Sequence, residues 1–231
     1  MKKPTTRQGQ IDLILSQLSY EQLQEFVREK ALHDNDFHET LLICFSDLLS
    51  SNESVEPKYK QLILGMIERY AGREHFINAG SAEALNGVIH KLLLAGRKAT
   101  TPPREASELC LAVITCLPVM ADQMEDPDEH VHSLMRTAVT TLWESASALT
   151  PEQQQHLFDR VLSEYANPIY LDLDLDSALL SLLKDWAKHK PQRQAACLHQ
   201  LETILKQTQG DRWRKNYLLE QTKALISHWK R

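Results

Sequence analysis

Asp172, Asp174 and Asp176 alternate along the chain, the spacing with which carboxylates open the calcium loop of an EF-hand. That loop also needs glycine at its sixth position for a sharp turn and a glutamate at its twelfth that offers both oxygens to the ion. Here those positions hold Ser177 and Leu183, so the chemistry is not supported. The aspartates are read instead as a helix start, where carboxylates face the positive end of the helix dipole.

A second group, Glu125, Asp126, Asp128, Glu129, His130 and His132, has the residue types for a divalent cation. The two histidines are only two residues apart, which sends them to different sides of a helix, and no HExxH pattern accompanies them. A solvated loop is the reading adopted. Nucleophilic catalysis finds no GxSxG elbow and no cysteine motif: Cys44, Cys110, Cys116 and Cys197 form no CxxC pair, and each lies in an apolar helical pattern. The stretch FINAGSAE lacks both the glycine spacing and the lysine of a phosphate loop. No enzyme, no metal and no cofactor is expected.

The sharpest constellation is at the C-terminal end. Arg212, Arg214, Lys215 and Lys223 lie among Trp213, Tyr217 and Trp229. Basic side chains contact phosphates and aromatic rings stack on exposed bases, so Arg212, Trp213, Arg214, Lys215 and Lys223 form a candidate nucleic-acid interface. The competing reading makes the same aromatics the apolar face of a terminal helix that caps the fold. Residues 191–231 carry eight Lys and Arg against three Asp and Glu, whereas the whole chain has a net charge of −5. The basic character is therefore local.

The elements that must carry these residues are helices. Seven glycines in 231 residues is few, and Leu, Gln, Glu, Ala and Lys are abundant. Ile11 to Leu18 give a short first helix after a polar, frayed segment 1–9. Ser19 and Gln22 have capping-box spacing before Leu23, Phe26, Val27 and Ala31. Apolar residues then predict helices over 41–49 and 57–71, the second ending near Gly72. Ser81 is the expected N-cap of a helix carrying Leu85, Ile89 and Leu92, closed by Gly96 as a left-handed residue and by Arg97 on the dipole.

Pro102 and Pro103 open a central helix that carries apolar residues on more than one face and a proline, Pro118, inside it. Pro127 starts the next, which ends with Trp143 expected in the core. Thr150, Pro151 and Gln153 combine N-cap, first-turn proline and capping-box spacing. Helices bearing Leu179 to Trp186, then led by Pro191, then following Gly210 complete the chain. The fold class predicted is all-α: a single domain, 1–231, of about eleven stacked antiparallel hairpin helices, a TPR/HEAT-like α-solenoid with 191–231 as basic capping helices. The beginning MKKPTTRQGQ has no apolar signal region and LLICF is too short to span a bilayer, which predicts a cytoplasmic protein without membrane contact.

Two stretches resemble a known family. YEQLQEFVREKALHDNDFHETLLICF is similar to a segment with an E-L-x-x-L-x-x-x-A-x-x-D-x-x-x-x-x-x-L pattern found downstream of the zinc finger in bacterial SWIM zinc-finger proteins. Phe76 through ALNGVIHKLLLAG, MEDPDEHV and the helix to Trp143 resembles the helical region that follows it, for a resemblance spanning residues 19–190. It implies a helical, repeat-like region in a family whose SWIM modules are associated with binding DNA or protein. The cysteine and histidine ligands of the finger are missing, so no zinc site is carried over. The function predicted is a non-enzymatic module that binds a protein partner, with nucleic-acid binding through the basic end as the alternative.

Overall fold

The computed structural model describes residues 6–34, 37, 38, 41, 54–98, 100–124, 127–208 and 211–230, together with their side chains except at 127–129. The chain divides into two compact units, Met1–Ser51 and Asn52–Arg231. Among the described residues there are eleven α-helices, and β pairing is limited to an isolated bridge between Ile77 and Met124.

In the first unit, α1 (Arg7–Leu15) begins inside the segment predicted to fray, because the Thr6 hydroxyl accepts from the amide of Gly9. Next, α2 (Tyr20–His33) starts with the predicted capping box. Ser19 Oγ accepts from the Gln22 amide at 3.2 Å, and Gln22 Oε1 accepts from the Ser19 amide at 2.9 Å. The helix predicted over 41–49, including Cys44, lies outside the described residues apart from Leu41.

The second unit starts with α3 (Glu56–Ala71), whose N-cap residue Val55 offers no side-chain acceptor. The cap comes from elsewhere in the sequence. Glu108 Oε2 accepts from the amides of Val55 at 2.6 Å and Glu56 at 3.3 Å and from Ser54 Oγ at 3.1 Å, while Arg104 Nε donates to Oε1 at 2.8 Å. A carboxylate on otherwise orphaned helix amides also opposes the dipole charge. Glu108→Ala is therefore expected to lower the stability of this unit by about 0.5–2 kcal/mol, the usual range for a lost cap. An unchanged urea midpoint would show that the remote cap contributes nothing.

Asn78, not Ser81, caps α4 (Ala79–Gly96): Asn78 Oδ1 accepts from the Ser81 amide at 3.0 Å, which makes Ser81 the third helical residue. Nor does Gly96 end this helix as a left-handed residue. Among the described glycines it is Gly72 that has a positive φ, 60°, whereas a Cβ on Gly96 would sit 3.0 Å from Leu109 Cδ2. Gly96 is needed for close approach to α5 (Pro103–Asp122), and Arg97 pairs with Glu144 at 2.5 Å.

The centre of the unit is α5, where Cys110 through Ile114 are all buried in succession. A helix apolar all round has to be covered all round. It packs most extensively on α6 (Pro127–Ala146) and α3, and it also touches α4 and α7 (Pro151–Tyr165). Beyond it come the one-turn α8 (Pro168–Asp172), then α9 (Asp176–Trp186), α10 (Pro191–Gln207) and α11 (Arg212–Trp229). Neighbours in sequence, or next but one, make most of the contacts.

Pro118 lies inside α5 without ending it. Proline has no N–H to give the carbonyl of Ile114, four residues earlier. The Tyr170 hydroxyl, on a side chain with no exposed surface, lies 3.1 Å from that oxygen and 3.1 Å from Glu164 Oε2. Its one proton is shared by two acceptors. Burial and the neighbouring Glu164 both hold the Tyr170 phenol well above its usual range.

Two junctions close alike. Pro151 and Pro191 each open a helix, and the glutamine three residues on turns back to the helix before: Gln154 Nε2 donates to the carbonyls of Ala146 and Leu149, and Gln194 Nε2 to that of Ala187. Each satisfies carbonyls that a helix end leaves without a donor.

Candidate functional site

The five residues predicted to contact nucleic acid all lie on α11 but do not share a surface. Arg214 turns inward and pairs with Asp172 of α8, with Asp211 Oδ2 at 3.9 Å. Lys223 is exposed but pairs along its own helix with Glu220 at 2.8 Å. Arg212, Lys215 and Trp213 face solvent, the last 62% exposed, with the indole stacked on Tyr217 at 5.7 Å and 11°. Tyr217 is anchored in turn, because its hydroxyl donates to Asp176 Oδ2 at 2.9 Å. At the far end Trp229 Nε1 donates to the Lys184 carbonyl at 3.0 Å, so the aromatics largely dock α11 on α9.

The three alternating aspartates separate. Asp172 ends α8, Asp174 is left-handed at φ 54°, and Asp176 alone opens a helix. The prediction of a common helix start is corrected: Pro168 with its Asn167 cap forms a turn of its own, which uses up the first aspartate. Asp176 is 4% exposed, and burial raises its carboxyl pKa against the lowering effect of the Tyr217 hydrogen bond, with Asp174 adding a raising repulsion. A carboxyl raised in the fold binds its proton more tightly there than in the unfolded chain, so its contribution is greatest below 3.8 and is lost as pH rises through the folded value. Asp176→Asn, which still accepts from Tyr217, is expected to flatten the fall in stability above pH 3.8. Parallel pH profiles of the variant and the parent would refute this.

Of the acidic and histidine cluster, Glu125, Asp126 and the side chains of Asp128 and Glu129 lie outside the description. His130 Nδ1 is 2.9 Å from Asn86 Nδ2 of α4, and His132 Nε2 is 3.3 Å from the carbonyl of Asp174 in the turn after α8, so the two rings meet different parts of the chain. No group of three or more potential metal ligands assembles among the described residues. Cys110, Cys116 and Cys197 are buried free thiols; burial pushes Cys116 to about 11, Cys197 to about 12 and Cys110 higher still. As protonated thiols they pack as small apolar groups.

Sequence reasoning missed Arg193. It stands in the first turn of α10, is only 6% exposed, and lies with its guanidinium 4.9 Å above the ring of Phe158. Its Nε donates to Gln155 Oε1 at 2.9 Å and its Nη1 to the Trp186 carbonyl at 3.3 Å. Neither partner is a carboxylate. Gln155 passes the field on, donating from Nε2 to Asp159 at 2.9 Å. Burial lowers the Arg193 pKa, and that of Lys190 is lowered by burial and by repulsion from Arg193.

Two cavities meet at this pair. One, of 460 Å³, is lined by Trp143, Trp186, Lys188, Lys190 and Arg193, and the other, of 510 Å³, by Pro151, Gln155, Lys190, Pro191 and Arg193. Trp143, expected in the core, stands 46% exposed on the first of them, because it points away from the side of α6 on which Leu142 and Ala146 are buried. The sequence did carry a signal: a cation in a first turn with no acidic residue opposes the helix dipole.

No family model, curated protein or solved structure matches the chain. No helix among the described residues is long and apolar enough to cross a membrane.

Proposed function

We propose that this chain is a non-enzymatic helical interaction module whose partner is a protein, met by the apolar faces of α1 and α2. The observation that carries this reading is that neither helix has a buried residue, while Ile14 at 58%, Phe26 at 59% and Leu32 at 71% stand exposed. Helices of 9 and 14 residues are marginal in water without an apolar face to bury. Ile11, Ile14 and Leu15 stand exposed at three-and-four spacing on α1, the arrangement that suits a helix or groove of a partner protein. Stacking as a TPR/HEAT-like solenoid, and kinship of residues 19–190 with the helical region of SWIM proteins, belong to the same proposal.

A photo-crosslinking amino acid in place of Phe26, in the full chain inside its own cells, tests it. A discrete protein adduct that survives nuclease is the expected product. Crosslinks confined to the chain itself, or adducts removed by nuclease, would overturn it.

The second reading, nucleic-acid binding, is favoured by the exposed Arg212, Trp213 and Lys215. Reversing Arg212 and Lys215 to Glu would then reduce the slope of log K against log salt by about 0.7–0.9 per lost phosphate contact. An unchanged slope would sink that reading.

A further inference from the structure

The first turn of α10 combines features that are individually unfavourable. Its N-cap residue, Lys190, supplies no side-chain acceptor, its first turn has no acidic residue, and Arg193 sits there against the dipole. Arg193 is buried without direct contact to a carboxylate, and a buried guanidinium needs a counter-charge to offset the loss of water. The two carboxylates that line the cavity of 460 Å³, Glu144 and Asp185, have other neighbours: Glu144 is 2.5 Å from Arg97, and Asp185 lies 3.9 Å from His228. Asp159 favours the Arg193 charge from a distance but does not touch it, and its contact is with the Gln155 amide that Arg193 also binds.

Each feature becomes favourable once an anion occupies the cavity. Backbone amides at a helix start present their hydrogens to an oxyanion, and a planar guanidinium matches a phosphate or carboxylate with paired donors. The Gln155 and Trp186 bonds use Nε and Nη1 of Arg193 and leave Nη2, which among the described contacts has no acceptor. Lys190 lines both cavities, and Lys188 and Trp143 line the one of 460 Å³, giving further cations and an apolar wall.

We propose that these cavities are an oxyanion-binding site, which takes the phosphate or carboxylate group of a small ligand on Arg193, Lys190 and the opening amides of α10. The indole of Trp143 packs against the remainder of that ligand. Arg193 also staples α7, α9 and α10 together, so its removal alone cannot separate binding from folding. Lys190 makes no such bonds through its side chain, and Lys190→Met leaves the staple in place.

The test titrates the full chain with inorganic phosphate and, separately, with succinate, at constant ionic strength against chloride. It follows the amide resonances of Gln192 and Arg193 and the heat of binding. Saturable shifts with phosphate alone identify a phosphoryl ligand, and with succinate alone a carboxylate. In either case Lys190→Met is expected to weaken binding about tenfold, as for loss of a charge-assisted hydrogen bond, and Arg193→Met to remove it. If neither anion moves these amides more than chloride does, or if Lys190→Met binds as the parent does, the proposal is overturned. The readout is independent of α1 and α2, so its failure leaves the protein-binding reading as it stands.

Discussion

Phe158→Ala is expected to lower the stability of the second unit by about 3–5 kcal/mol, the cost of emptying a fully buried aromatic site. Phe158 has no exposed surface, and its ring carries the Arg193 guanidinium at 4.9 Å. Truncation would therefore open a void and also remove the π face that helps to hold a buried cation. Phe158→Leu separates the two effects, because it keeps most of the volume and loses only the ring, for an expected cost of about 1–2 kcal/mol. All four tryptophans, Trp143, Trp186, Trp213 and Trp229, lie in this unit, so their fluorescence during urea unfolding reports it selectively. A loss below about 2 kcal/mol for the alanine variant would mean that the site collapses around the gap and that the packing is looser than described.

Tyr170→Phe comes next, at about 1–3 kcal/mol, because it strands a buried carbonyl rather than removing volume. The Ile114 oxygen has lost its helical donor to Pro118, and the Tyr170 hydroxyl stands in at 3.1 Å. The same hydroxyl lies 3.1 Å from Glu164, and Arg160 joins Glu164 at 3.9 Å to Glu56 at 2.7 Å, so α5, α7, α8 and the start of α3 share one polar chain. The mechanism predicts a specific non-additivity. In a Pro118→Ala background the helix regains its own N–H, and Tyr170→Phe should then cost less by about 0.5–1.5 kcal/mol, the worth of one hydrogen bond. Equal costs in the two backgrounds would show that the hydroxyl does not compensate for the proline.

Both predictions depend on pairings that sequence reading does not reach, and the contrast with what it does reach has a physical cause. The all-helical class, the helix starts at Ser19, Pro103, Pro127, Thr150 and Pro191, and the enclosed position of α5 follow from interactions within one or two turns, between residues at most a few positions apart. A capping box is written in four consecutive residues, so Ser19–Gln22 and Thr150–Gln153 could be read directly. Where two local solutions competed, the nearer one prevailed: Asn78 capped α4 before Ser81 could, and Pro168 drew Asp172 into a turn of its own.

Tertiary structure decided the rest. Glu108 caps a helix that starts 52 residues earlier, Tyr170 serves a carbonyl 56 residues away, and Arg193 reaches Gln155 across 38 residues. Nothing in the local spacing of those side chains marks their partners. Likewise, the helical pattern placed Trp143 on an apolar face, but only the packing determines that this part of the face meets a cavity instead of a neighbouring helix. Arg193 was legible only as a conflict, a cation where the dipole disfavours one. The sequence by itself determined where helices form, because those free energies are local; which charges end up buried, paired or facing a cavity depended on contacts made only when distant helices come together.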